Sequence, residues 1–464
     1  MSFFYGLRNH HSLFGLKGVC LALKSRAVGK GSRSGFARDS KSARFRGLVW
    51  RPFLMSTDLR LTVVSPFLDR QHGTELCVIE QLERLAHLPG WSIDLYAQRV
   101  EQLTGVRLDS PGALDAHGEI VWHKIPDIPG PHLLKFLWWF VANQLRRRRE
   151  RRSGRPTPDL VYSPGINCFD ADVIAVHIVF DEFYARVRPG LALHSVPLWS
   201  WPRVIHRRLY YRLIMFLEQR IYSDKHIHLV AVSARIAAIL KARFGRQDVT
   251  VIPNAVDLDR FSPEVRRARR AASRQTFHFQ ENEFVALLIG NDWKNKGLEA
   301  LLRAAAQLRE LPLRLLVTGQ DDPELFRALV RELALQDRVL FAKPSPDVLQ
   351  FYAAADLYAA PSLEDSFGLP IVEAMACGLP VIASVHAGAS ELVRDGENGL
   401  LLRRPTAASE LAGLIRTLLD DAALGASLGA AAAQYVEANC GWDQNAERTR
   451  LLLEEALARR TGQK

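Results

Sequence analysis

Apolar residues recur along this chain in two rhythms: short consecutive runs, and stretches where they return every three or four positions. The first rhythm suits strands buried on both faces, the second helices with one apolar face. From residue 284 the two alternate regularly. FVALLIGN (284–291), LRLLVTGQ (313–320) and RVLFA (338–342) read as strands. GLEALLRAAAQLRE (297–310), PELFRALVRELAL (323–335) and PDVLQFYAAA (346–355) read as the helices between them. Repeated strand–helix units of this length build a parallel, doubly wound sheet. The stretch PSLEDSFGLPIVEAMACGLPVIAS (361–384) and GLLLR (399–403) continue it, and helices from Ala407 onward complete it. An earlier sheet opens with LRLTVVSPF from Leu59, a polar turn, and a helix carrying Leu76, Ile79, Leu82 and Leu85 on one face. DLVYSPG (159–165) and ADVIAVHIVF (171–180) read as further strands of that sheet. Residues 262–283 are charged and poorly periodic, which predicts a surface segment.

A chain of 464 residues exceeds one ordinary core, and 48% apolar with 24% charged residues is a globular composition. The net charge of +11 points to an acidic partner until it is located. Residues 1–54 hold 11 Lys and Arg against the single acid Asp39, leaving 50 basic and 49 acidic residues elsewhere. The body is therefore nearly neutral, and nucleic-acid binding is not expected of it. That first segment resembles a transit peptide, or read-through ahead of a start at Met55; the expectation is a disordered extension without a catalytic role. The five cysteines are scattered without C-x-x-C spacing, so neither a disulfide framework nor a zinc site is expected, and a reducing, cytoplasmic setting fits.

The stretch 361–384 carries the densest chemistry. A strand ends near Ala360, a polar loop follows, and a helix begins near Pro370 and stops at Gly378 and Pro380. Pro370 tolerates the first turn because its missing N–H would be unpaired there, and Gly368 allows close approach of backbone to ligand. Bare amides at a helix start favour a diphosphate. Glu373, one turn inside, would repel that phosphate unless aimed elsewhere, for example at ribose hydroxyls. Asp365 is a second carboxylate within reach of the same ligand. A second loop, Gly290-Asn-Asp-Trp-Lys-Asn-Lys-Gly297, lies between a strand and a helix and offers Lys294 and Lys296 as cations for a leaving diphosphate. No G-x-G-x-x-G follows the first strand, which argues against a nicotinamide or flavin enzyme.

These motifs resemble the signature of the family-4 retaining glycosyltransferases of the GT-B fold, in which two glutamates bracket a Phe-Gly-Leu turn. Here Asp365 stands at the first acid and Glu373 at the second. The resemblance implies two Rossmann-like domains facing a central cleft: an acceptor-side domain at 55–244, a nucleotide-sugar-binding domain at 245–441, and a C-terminal helix (442–464) crossing back to the first. It implies that Glu373 holds the ribose, that Asp365 lies near the transferred sugar, and that Ser366, Phe367, Gly368 and Leu369 meet the diphosphate with Gly290 and Asn291. Lys296 keeps the family's lysine, whereas Asn291 replaces an arginine for which Lys294 would substitute. In the first domain Gly73, with His72 beside it, would face the diphosphate or acceptor. His177 would face the donor sugar or acceptor, with Asp181 and Glu182 as alternative acids. Asn254 and Asp257 match a Pro-Asn-x-Val-Asp turn between domains.

The implied activity is retaining transfer of a sugar from a UDP- or GDP-linked donor to a glycan or lipid-linked acceptor, in cell-surface polysaccharide or glycolipid synthesis. The nucleotide-sugar is a co-substrate, and no cofactor or metal is required. A nucleotide-sugar 2-epimerase of the same fold, or a catalytically silent nucleotide-sugar-binding protein, stands as the alternative.

HLLKFLWWFVANQLRRRRERRSGR (132–155) runs from apolar residues into a basic cluster, and 195–222 repeats the mixture of Trp and Arg. Neither is apolar over the roughly 20 residues that span a bilayer. Each suits a helix lying peripherally in the headgroups of an anionic membrane, or one packed on the core with a solvated basic end.

Overall fold

A computed structural model describes residues 59–462 apart from 71, 110–118 and 194–196, so the expectation for residues 1–54 lies outside the described residues. The first sheet contains β1 (Leu59–Val64), β3 (Trp91–Ala97), β5 (Val106–Leu108), β6 (Ile120–Lys124), β7 (Leu160–Pro164), β8 (Val173–Val176), β9 (His228–Ala231) and β10 (Thr250–Val251). Its order is β10-β9-β8-β7-β1-β3-β6-β5, and every pairing is parallel. Two short strands, β2 (Phe67–Leu68) and β4 (Arg99–Val100), pair separately beside it.

The second sheet comprises β11 (Phe284–Ile289), β12 (Leu313–Thr318), β13 (Val339–Ala342), β14 (Leu357–Ala360), β15 (Val381–Ser384) and β16 (Leu400–Leu402). It is also wholly parallel, in the order β13-β12-β11-β14-β15-β16. Both sheets have the mixed α/β, Rossmann-like architecture that the alternating rhythms predict. In each, the strand order reverses direction beside the first strand, and ligands bind beyond the strand ends at such a reversal. For the second sheet that point lies between β11 and β14.

The helix Gly73–Ala86 places Val78, Ile79, Leu82 and Leu85 against Leu61 and Val63 of β1 in the first core. Leu452, Leu453 and Ala456 of the final helix, Trp442–Gly462, enter the same core. Polar contacts fix its position: Gln81 Nε2 donates to Asn445 Oδ1 (2.8 Å), and Arg460 pairs with Asp172 (2.8 Å).

One expectation needs correction and a second needs refinement. Thr250–Val251 pairs with Val230 and Ala231 at the edge of the first sheet, so the first domain extends beyond residue 244. Residues 263–276 lie largely at the surface, as expected, but form a regular helix, Pro263–Thr276, capped by Ser262, whose hydroxyl accepts from Val265 N. Its arginines at four-residue spacing point inward. Arg270 and Arg274 pair with Asp356 (2.7 and 3.0 Å), while Arg266 donates to the Ala355 carbonyl (2.7 Å). Those carbonyls end the neighbouring helix Leu349–Ala354, where cations are favoured.

Candidate functional site

The loops after β11 and β14 emerge from adjacent strands at the reversal point of the second sheet, and they meet there. Lys296 Nζ forms an ion pair with Asp365 Oδ2. Both side chains are largely shielded from solvent. The lysine stem lies over Gly290, where a Cβ would stand 2.9 Å from Lys296 Cε. The Gly290 φ of 136° is a second reason for glycine. Asn295 ties the loops together further: its Nδ2 donates to the Glu364 carbonyl (2.7 Å), and its own carbonyl accepts from Leu363 N (2.8 Å). Asn291 Oδ1 accepts from Gln320 N (2.8 Å) and so braces the loop after β12. Lys294 is exposed and holds no partner among the described residues.

Beyond the acid, Gly368 has φ 91° and precedes the helix Leu369–Ala376, with Pro370 in its first turn. Pro370 brings no N–H to this turn and Ile371 N donates to the Gly368 carbonyl (2.9 Å), so the Leu369 amide is the first-turn donor beside the Lys296–Asp365 pair. Glu373 is aimed sideways: Tyr352 Oη donates to its Oε2 at 2.5 Å. Burial raises the Glu373 carboxyl above its ordinary range, opposed by the Tyr352 hydrogen bond and by Arg260.

The acid loop also reaches the first domain. Ser233 Oγ donates to the Ser366 carbonyl (2.9 Å), and Glu391 Oε2 accepts from Ala234 N (2.6 Å) at the start of the helix Ala234–Phe244. Gly388 is wedged between these parts, since a Cβ there would stand 2.2 Å from the Ser366 oxygen and 2.8 Å from Ser233 Cβ. Tyr352, Ser233 and Glu391 are thus parts of the site that sequence reasoning did not find. Ser233 is recognisable as a helix cap, but nothing local marks its second bond.

The first-domain candidates sit on other elements. Gly73 begins its helix with open space at its Cβ position, and the preceding His72 donates through Nδ1 to the Asp69 carboxylate (2.8 Å). His177 follows β8 and lines a small cavity with Gln81, Tyr162, Asn254 and Thr449. Burial lowers its pKa to about 3, which keeps the imidazole neutral. The Asn254 Oδ1 facing the same region is buried without a hydrogen-bond partner. Asp181 is engaged by Arg243 (2.9 Å), with Glu182 at 3.9 Å from the same guanidinium. Asp257 accepts from Asp259 N (3.1 Å) and Arg260 N (3.2 Å), which gives it a turn-forming role.

One cluster of possible metal ligands exists among the described residues: Asp109, His123 and Glu150 in the first domain. Arg155 donates to Asp94 (3.1 Å), which itself contacts His123 Nε2 (2.9 Å), and Arg146 pairs with Glu150. Guanidinium groups therefore already supply the positive charge.

Comparison with known proteins bears directly on this arrangement. Residues 72–260 match the family Glycosyltransferase Family 4, and residues 269–435 match Glycosyl transferases group 1. The chain belongs to these GT-B glycosyltransferases. Within the family, a D-inositol 3-phosphate glycosyltransferase of Nocardia farcinica is 38% identical over 189 residues, covering 38% of this chain and 41% of that protein. The Corynebacterium aurimucosum protein of the same name is 28% identical over 313 residues, covering 61% and 73%. The chain spans 36% of the length of a Mycobacterium protein of this name and 54%, 57% and 54% of the Rhodococcus erythropolis, Catenulispora acidiphila and Kineococcus radiotolerans proteins.

Solved glycosyltransferase structures share the fold. WaaG, a glycosyltransferase involved in lipopolysaccharide biosynthesis, aligns with a TM-score of 0.65 at 20% identity, over 84% of this chain and 99% of that one. A sucrose-phosphate synthase from Thermosynechococcus elongatus gives 0.65 at 21%, over 86% and 99%. Anabaena HepE, solved with UDP and glucose, gives 0.59 at 21%, over 86% and 100%.

Proposed function

We propose that this chain is a retaining glycosyltransferase that takes a sugar from a UDP- or GDP-linked donor to a glycan or lipid-linked acceptor, in cell-surface polysaccharide or glycolipid synthesis. The observation that carries this reading is the Lys296–Asp365 pair at the reversal of the second sheet, beside the helix start that leads to Glu373. A donor diphosphate at that helix start would draw Lys296 toward its oxygens, while Asp365 turns to the sugar. Glu373, already directed away from the helix start, would take the ribose hydroxyls. The UDP and glucose held by HepE favour a uridine donor, and the inositol phosphate relatives favour a polyol or its phosphate as acceptor.

In the proposed step, the bond from the anomeric carbon to the diphosphate oxygen breaks and the acceptor oxygen bonds to the same face of that carbon. The acceptor proton passes to the departing diphosphate. Lys296 opposes the negative charge that develops there, with Lys294 as the mobile second cation, so no metal is needed. Activity unchanged by a chelator supports this reading, and restoration of lost activity by a divalent cation opposes it. The proton path makes a covalent sugar–enzyme intermediate unnecessary; trapping a glycosyl carboxylate ester would refute it.

The first test is the thermal shift of the full chain with UDP- and GDP-sugars, since a ligand bound to the folded state raises its stability by mass action. One nucleotide series should shift the transition, and Glu373→Ala should abolish the shift. Lys296→Ala should lower kcat by about a hundredfold, the scale of a lost donor to developing charge. Near-normal turnover in that variant would sink the site assignment.

A further inference from the structure

We propose that the outer faces of two adjoining first-domain helices dock this protein on an anionic lipid bilayer. The helices are His132–Arg152 and Trp201–Tyr222, joined where Leu133 N donates to His206 Nε2 (3.3 Å) and Phe136 packs edge-on against Tyr210. The first turns Phe136, Trp139, Phe140 and Asn143 inward. Its opposite side carries Leu134, Trp138, Val141 and Leu145, all exposed, at the three- and four-residue spacing of a single stripe. The same stripe continues into exposed Arg148, Arg149 and Arg152. The second helix repeats the design with Ile205, Leu209 and Phe216 around Arg212, and the turn before it projects Leu198 and Trp199, 72% and 83% exposed.

The charge on these faces selects the occupant. Each helix contains one acid, and neither acid is available outward. Glu150 is taken by Tyr96 and Arg146, and Glu218 is buried, accepting from Phe180 N and Asp181 N. Apolar side chains ringed by arginine, with the neighbouring Asp170 already taken by Arg147 and Arg151, match acyl chains below phosphate headgroups. A second copy docked through the same faces would set arginine against arginine. No helix among the described residues is long and apolar enough to cross a membrane, so the contact is interfacial. The face belongs to the acceptor-side domain, where a lipid-linked acceptor would arrive. The inference itself stands apart from the transferase reading, because vesicle binding is measured with neither donor nor acceptor.

The test is co-sedimentation of the full chain with vesicles of phosphatidylglycerol and phosphatidylcholine, compared with phosphatidylcholine alone. Two double variants separate the contributions: Leu198→Ser with Trp199→Ser, and Arg148→Glu with Arg149→Glu. All four positions are exposed, and an unchanged melting curve verifies the fold. The expected result is preference for the anionic vesicles, weakened about tenfold or more by each pair, as for interfacial anchors and juxtamembrane basic residues. Equal affinity for both vesicle types overturns the proposal, as does binding untouched by both pairs, which would assign attachment to the basic residues 1–54. Dimerisation without vesicles that the same substitutions abolish would replace the bilayer with a second copy.

Discussion

At Glu218 a carboxylate with no solvent exposure receives two backbone N–H groups, from Phe180 (2.7 Å) and Asp181 (3.2 Å). Burial outweighs those bonds and pushes its pKa from an ordinary 4.5 to about 8. A raised folded-state pKa contributes stability that is complete below the unfolded value and is lost as pH rises through the folded one. Glu218 therefore favours the folded state least above about pH 8. Glu218→Gln should flatten this dependence: melting temperatures at about pH 5 and about pH 8.5 should differ less in the variant than in the parent. Parallel curves would show that the carboxyl does not titrate in that window. Gly297 poses a steric case, with φ 79° and a Pro361 oxygen 2.0 Å from where a Cβ would lie. Gly297→Ala should cost about 2 kcal/mol or more by denaturant unfolding and loosen the neighbouring Lys296. A melt unchanged by the substitution would mean that the two loops separate easily. Lys296, Asp365 and Glu373 were legible because each pattern is complete within a few residues. Tyr352 was not, since it reaches Glu373 from another helix across 21 positions, and Ser233 reaches Ser366 across 133.

Helices and strands were legible where apolar spacing dictated them, and harder to read where arginine performed the packing. The helix Pro263–Thr276 has hardly any apolar face, yet Arg274 is only 2% exposed, spanning Asp356 and the carbonyls of Ala354, Gln280 and Glu283. Ser262, Pro263 and the spacing of Arg266, Arg270 and Arg274 were the available signals. Asp356 is the hub, since it also accepts from Val285 N at the start of β11 (2.9 Å). Asp356→Ala should destabilise the protein by about 3 kcal/mol, because it strands two guanidinium groups, one of them buried. Urea unfolding measures this, and a loss below about 1 kcal/mol would show that the carbonyls alone satisfy those arginines. The helix His132–Arg152 divided the sequence reading between core packing and interfacial placement. Its two faces reconcile these readings: aromatic residues pack inward and an apolar–basic stripe faces out.

For the whole molecule, alternating strands and helices foretold two parallel sheets, but not where one domain gives way to the other. That boundary depends on β10, a two-residue edge strand whose pairing partner decides its allegiance. The first core is likewise completed from a distance: Leu452, Leu453 and Ala456 join Leu59, Leu61 and Val63, with the entire second sheet lying between them in sequence. This order of parts governs the molecule's birth. Domains generally fold as they leave the ribosome, at about 5 to 20 residues per second. Here the first core lacks Leu452, Leu453 and Ala456 until the helix Trp442–Gly462 has cleared the exit tunnel. Ribosome-stalled chains that still hold that helix inside the exit tunnel should remain protease-sensitive throughout residues 59–254, and release should confer resistance within one cooperative step. Early resistance would show that the final helix merely reinforces a domain already folded. Where resistance waits for that helix, chaperone protection is needed for longest by the early strands of the first sheet, which emerge long before the helix that covers them.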